Sequence, residues 1–191
     1  MKNLTAVACG ILLCALPHPA CAKIFGELGG FDVQANESDA ETPNSGSCIM
    51  MNEYEGPGDT QLVITRYLNN PDIVVVTSLN YNWSTKNDQK YKLRYEIDDF
   101  YYERETMGFS YGGKKGFMAG FPSDDFLPTF ASGTTFRIFK DDSTVDRLSL
   151  TNSAAAVAGF NRCWQYLKAD EALKQKERNR FKGIEKDPFK E

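Results

Sequence analysis

The stretch VDRLSLTNSAAAVAGFNRCW, Val145 to Trp164, decides the fold class. Leu148 and Leu150 alternate with Arg147 and Ser149, the period-two pattern of a half-buried strand. Asn152 stands where a helix N-cap is wanted, with a side-chain oxygen able to accept from the first free helical amides. From Ser153 the chain is alanine-rich. Ala156, Phe160, Cys163 and Leu167 then fall along one helical line, flanked by Val157 and Trp164. A last strand thus turns directly into a helix that lays an apolar stripe, cysteine included, on a sheet.

Upstream, the pattern is strand after strand. Cys48 to Tyr54, Gln61 to Leu68, Ile73 to Leu79, Tyr91 to Ile97, Phe100 to Met107 and Phe117 to Phe121 are rich in β-branched and aromatic residues and are bounded by turn residues. Ile73-Val-Val-Val76 has no polar face, which predicts a central strand covered on both sides. Ser123-Asp-Asp125 predicts a short helix through Phe130, with acids in its first turn. Thr134 to Lys140 and Thr144 to Leu150 read as a hairpin around Asp141-Asp142. About eight strands so spaced predict a mainly β fold: an antiparallel sandwich or barrel, a C-terminal helix packed on it, and a short helix before the last hairpin.

The N-terminus points to export. Lys2, the apolar run Leu4 to Leu16 and Ala20-Cys-Ala22 have the layout of a cleaved signal over 1–22, and the run is too short to span a bilayer. Lipidation at Cys21 is the rival reading. Residues 23–46 are Gly-, Ser- and acid-rich, with only Phe31-Asp-Val33 hinting at a strand, and read as a flexible lead-in or a weakly paired first strand. The β-rich domain with its packed helix is expected over 47–167, and a charged helix or tail over 168–191. Asp170 and Lys174 form an i,i+4 pair in the favourable order.

Removal of 1–22 leaves two of the five cysteines, Cys48 and Cys163. An exported chain with two cysteines most simply forms one disulfide, two free thiols being the alternative. Removal also takes His18, the one histidine. Without it there is no Ser-His-Asp or Cys-His nucleophile system, no histidine base and no histidine-held zinc or haem. The chain is expected to be no enzyme, with no metal and no cofactor. Its net charge of −4 makes it a poor match for nucleic acid, whose phosphates need clustered lysine and arginine.

The candidate binding face is aromatic. Tyr101, Phe109 and Tyr111, with Lys114 and Lys115, surround the glycine-rich segment 108–116, and tyrosine rings bring large contact area at small entropic cost. Ordinary strand aromatics filling a sandwich are the competing explanation. Gly112-Gly-Lys-Lys-Gly116 lacks the spacing of a phosphate loop. The acid pairs Asp98-Asp99, Asp124-Asp125 and Asp141-Asp142 lie at turns or a helix start, and neighbours on a strand point apart, so adjacency makes no catalytic pair. Asn82-Trp-Ser84 fits a glycosylation sequon, relevant in a eukaryotic secretory route alone.

Cys48-Ile-Met50, Gly116-Phe-Met-Ala-Gly-Phe121 followed by Asp125-Phe-Leu127, and Leu148-Ser-Leu150 leading into Ala154-Ala-Ala156 together resemble the invasion-associated locus B family and related small periplasmic proteins. The resemblance spans residues 46 to 164 and implies an exported β-rich domain with a disulfide and no family active site. Thr151-Asn152 departs from the family pattern, which has an aliphatic lysine-glycine element there, and the extra cysteine pair of the middle region is absent. The expected role is a periplasmic or secreted, non-catalytic domain binding an envelope protein or cell-wall component, with no transmembrane helix after signal cleavage. The alternative is an inhibitor or immunity factor that blocks a cell-wall hydrolase or toxin through a protruding 108–116 loop.

Overall fold

The computed structural model describes residues 23–38 and 42–182. The expected signal over 1–22, with Cys21, and the last part of the charged tail lie outside them. Eight strands come first: β1 (Lys23–Leu28), β2 (Phe31–Asn36), β3 (Ser47–Tyr54), β4 (Thr60–Tyr67), β5 (Asn70–Asn80), β6 (Lys90–Ile97), β7 (Phe100–Tyr111) and β8 (Lys114–Pro122). Helix α1 (Ser123–Ser132), strands β9 (Thr135–Lys140) and β10 (Ser143–Ser149), and helix α2 (Ser153–Phe181) complete the order. The strands form one antiparallel sheet, β1-β2-β3-β4-β5-β8-β7-β6-β9-β10. The fold is mainly β with a C-terminal helix, as the sequence pattern predicts.

The sheet is curled, so that its inner face encloses the core. The Thr60 hydroxyl of β4 donates to Asp146 of β10 at 2.6 Å, although five strands stand between β4 and β10 in the sheet order. Both helices lie on the inner side. Cys163 of α2 is joined to Cys48 of β3, with Cα atoms 6.1 Å apart. Phe126 of α1 lies 4.7 Å from Phe121 of β8, ring centre to ring centre, and 5.6 Å from Phe130. Tyr95 packs edge-on to Phe121 and stacked with Phe136. It is fully buried, and burial drives its phenol pKa up. Burying each such ring contributes roughly 1.5–3 kcal/mol.

Four expectations are corrected. The 23–46 lead-in carries a hairpin: β1 and β2 pair, and Phe31, Val33 and Ala35 are buried while Asp32 and Asn36 are exposed. α2 holds this hairpin down. Lys23 lies 3.8 Å from the centre of the Tyr166 ring, Phe25 packs on the same ring, and the Tyr166 hydroxyl donates to Glu37. That bond lowers the Glu37 pKa and pushes the Tyr166 phenol up to about 12. Second, no boundary falls at 167/168, because α2 runs unbroken from Ser153 to Phe181, and Lys174 bonds Asp170 at 2.7 Å and Glu37 at 3.3 Å. Third, Asn152 precedes α2 in the left-handed region, at φ 68°, with no side-chain cap. Its amide donates instead to the Gly29 carbonyl at 3.2 Å, tying the start of α2 to the β1–β2 turn. Fourth, β5 is central but covered on one side only: Val74 and Val76 are buried inward, while Ile73 and Val75 stay half-exposed outward.

Candidate binding surface

The β7–β8 hairpin builds one end of the outer sheet face. Gly112 and Gly113 both have positive φ, 58° and 82°, which makes a two-residue turn that glycine satisfies without strain. The segment 108–116 is therefore two paired strands and a tight turn. Across the hairpin, Tyr111 stands opposite Lys114, and Phe109 opposite Gly116. Tyr111 is 69% exposed; Phe109 is half-buried.

Lys114 is not exposed, as a place on an open binding face would require. It is buried, and its ammonium lies 3.2 Å from a Glu53 carboxylate oxygen. Gln61 donates to the same oxygen at 3.3 Å. The lysine also sits 5.0 Å from the centre of the Tyr81 ring, a cation–π contact. Glu53 belongs to β3, so the pair spans β5 and β4, and Leu79, opposite Gly116 and Gln61, is 2% exposed beneath that span. The physical reason for the burial is this crossing: a lysine stem covers apolar surface while its head finds a carboxylate.

Tyr81, 56% exposed, is held in place by its backbone. Its N–H donates to the Gly58 carbonyl at 2.8 Å. The buried Asn80 before it donates to the Pro57 carbonyl and to the Thr60 hydroxyl, both at 2.9 Å. Trp83 after it stacks on Phe117 at 4.9 Å. Tyr81 and Lys114, with Glu53, Tyr54, Glu55 and Asp59, line a cleft of about 270 Å³ at one end of the outer face, and Tyr111 stands beside Lys114 across the hairpin. Burial pushes the Tyr54 phenol up to about 12, and its hydroxyl is turned away from solvent. The arrangement offers flat rings and hydrogen-bonding groups on a rigid base, suited to holding a partner.

The other candidates are not brought together with these. Tyr101 is 67% exposed but lies ten residues from Tyr111 along β7, roughly 33 Å away. Lys115 is exposed and points to the other side of β8 from Lys114. Sequence reading missed Tyr81 and Glu53. The turn residues Gly56-Pro-Gly58 and the polar pair Asn80 and Asn82 flanking Tyr81 were the available signal, since they mark loops with specific backbone demands.

Beyond this row the outer face divides into two zones. Over β6, β7 and β9 it is charged: Glu96 bonds Arg94 at 3.0 Å and Arg137 at 2.9 Å, and Lys90 bonds Glu105 at 2.7 Å. Over β3, β4, β5 and β8 it carries Ile49, Met51, Val63, Val75, Thr77 and Met118, all half-exposed, with Met107 of β7 beside them at 42% exposed. Among the described residues no helix is long and apolar enough to cross a membrane.

Neither a protein-family model nor a curated protein matches the chain. Among solved structures, the crystal structure of invasion associated protein B from Bartonella henselae is similar, with a TM-score of 0.52 at 10% identity, over 74% of this chain and 96% of that one. The distant resemblance to that family therefore holds at the level of the fold.

Proposed function

We propose that the protein is an exported, non-catalytic β-domain of the periplasm or cell exterior that binds another envelope component, a protein or a cell-wall polymer, through the row Tyr81–Lys114–Tyr111. One observation carries the reading. Two tyrosines from separate segments, both more than half exposed, flank the buried Lys114, which Glu53 holds from the surface. Exposed rings on a rigid support are what recognition surfaces use, because little side-chain entropy is lost on binding. The disulfide is compatible with an oxidising compartment.

The test is capture from envelope extract with three baits: the parent, Tyr81→Ala/Tyr111→Ala, and Tyr101→Ala. A component held by the parent and by Tyr101→Ala, and lost by the double variant, supports the tyrosine row. Equal recovery by all three baits, or none by any, removes it.

A further inference from the structure

We infer that the cleft between α1 and α2, with Arg66 at its base, binds a small zwitterion carrying an apolar side chain: an aliphatic or aromatic α-amino acid. The cleft has a volume of about 460 Å³. Arg66 stands on β4 opposite Val74, seven residues before Tyr81 in the chain, so it lies roughly 23 Å from the tyrosine row. The site is therefore separate from the surface proposed above. Its walls are apolar, with Leu127 and Ala131 from α1 and Val157 from α2, and both Leu127 and Val157 are buried.

The base of the cleft carries a fixed cation. Leu62 and Ile64 hold the inward positions of β4 before Arg66 and are buried in the core, so an arginine next in that series needs a reason. Its guanidinium carbon lies 4.3 Å from the centre of the Trp164 ring. Nε donates to the Pro71 carbonyl at 2.6 Å, and Nη2 donates to the Ser123 hydroxyl at 3.1 Å. These bonds use one edge of the fork, fix its plane and leave Nη1 to offer a ligand. A guanidinium held this way suits a carboxylate, with little side-chain entropy left to lose.

Helix α1 supplies the opposite charge. Asp124 is exposed and lines the same cleft, and the hydrogen bonds of Arg66 go to Pro71 and Ser123 rather than to it. The charges of Asp72 and Asp124 both reach Arg66, so a plain anion would enter against two carboxylates. A second acceptor stands beside Asp124. Pro128, inside α1 and on the cleft wall, has no N–H, which leaves the Asp124 carbonyl without its helical donor. An ammonium brings three donors, enough for that carbonyl and the carboxylate. Across the cleft, the exposed Asn161 of α2 adds an amide. The three parts of an apolar amino acid thus each find a counterpart: carboxylate at Arg66, ammonium at Asp124, side chain between Leu127 and Val157.

Titration calorimetry of the disulfide-intact protein tests this with L-leucine and L-phenylalanine. Beside them run their N-acetyl derivatives, their amides, and glycine as the probe without a side chain. Both amino acids should bind, at least about tenfold more tightly than any probe lacking the amine, the carboxylate or the side chain, because a site built for a charged group rejects the analogue without it. Asp124→Asn should weaken L-leucine at least about tenfold and leave N-acetyl-L-leucine unchanged. Arg66→Gln should weaken L-leucine likewise and leave leucinamide unchanged. Asp124 is exposed, so its variant and the blocked probes decide the matter even where Arg66→Gln fails to fold, which circular dichroism reveals. Absence of binding by both amino acids at millimolar concentration overturns the proposal. So does a blocked derivative or glycine that binds as tightly as L-leucine, or an Asp124→Asn variant that binds L-leucine like the parent.

Discussion

Lys114 of β8 reaches Glu53 of β3 across two intervening strands, nitrogen and oxygen 3.2 Å apart, with the lysine side chain 8% exposed and the glutamate 62% exposed. The two ends are unequal: glutamate can turn to water, whereas the lysine is held over Leu79 and needs a counter-charge where it is. Glu53→Gln should therefore destabilise the protein by about 1–2 kcal/mol, less than a fully buried pair because one partner is solvated. Adding Lys114→Met should restore most of that loss, since an apolar stem of similar length keeps the cover. Urea midpoints with unchanged slopes check both. A Glu53→Gln variant as stable as the parent would show that water already serves the lysine.

Gly116 sets the closest approach between β5 and β8. A side-chain carbon there would come within 1.7 Å of the Ser78 carbonyl oxygen, a backbone atom with nowhere to move. Gly116→Ala should cost about 2–4 kcal/mol by prising apart two central strands. Tyr111→Ala, five residues away and exposed, should stay within about 0.5 kcal/mol. Thermal unfolding of the two variants side by side gives the contrast. If both behave alike, the ladder at Gly116 has more slack than its geometry implies.

The disulfide closes a loop with a sequence separation of 115 residues and fastens α2 to β3. The chain-entropy account gives roughly 4–5 kcal/mol for such a loop, an upper figure because unfolded chains keep residual structure. Replacing both Cys48 and Cys163 by alanine should cost about 2–4 kcal/mol and lower the melting temperature by roughly 5–15 °C. Reduction of the parent by dithiothreitol should lower it by a similar amount. A double-alanine variant melting with the parent would mean that Phe160, Trp164 and Leu167 already hold α2 down unaided.

The parts of this fold that could be read in the sequence are those where burial and local chemistry agree. Leu148 and Leu150 alternate and are buried, and Ala156, Phe160, Cys163 and Leu167 are buried along one helical line. The β1–β2 hairpin was legible in principle, since Gly29-Gly30 precedes the alternating Phe31, Val33 and Ala35. Its acid-rich neighbours masked it, and what orders it, Tyr166 and Lys174, lies more than 120 residues away. Asn152 was misread because N-cap preference is a local rule, and the Gly29 carbonyl that claims its amide comes from a distant turn. The binding surface was the least legible. Tyr111 and Phe109 were found because they flank a visible glycine turn. The exposure of Lys114 was misjudged because only the sheet order, β8 next to β5 and then β4 and β3, puts Glu53 within its reach.

Asp98 supplies a pH-dependent fastening at the start of β9. It sits at positive φ, 50°, between β6 and β7, and its two carboxylate oxygens accept from the Thr134 hydroxyl at 2.7 Å, the Thr134 amide at 2.9 Å and the Thr135 amide at 3.0 Å. These bonds, the Thr134 hydroxyl first among them, hold the carboxyl pKa below its ordinary value, and the Arg137 charge adds to the effect. A carboxyl lowered on folding contributes stability that is complete above its unfolded pKa, about 4, and is lost as pH falls through the lower folded value. Between pH 7 and 5 the parent and Asp98→Asn should therefore differ by a constant amount. Below pH 4 the gap should narrow, because protonation removes from the parent what the substitution has already removed from the variant. Urea midpoints measured from pH 7 to pH 2.5 read this directly. A gap that persists unchanged to pH 2.5 would show that Asp98 acts through the shape of its turn, with its charge irrelevant. Asn tolerates the same left-handed backbone, so the comparison isolates the carboxylate from the turn that carries it.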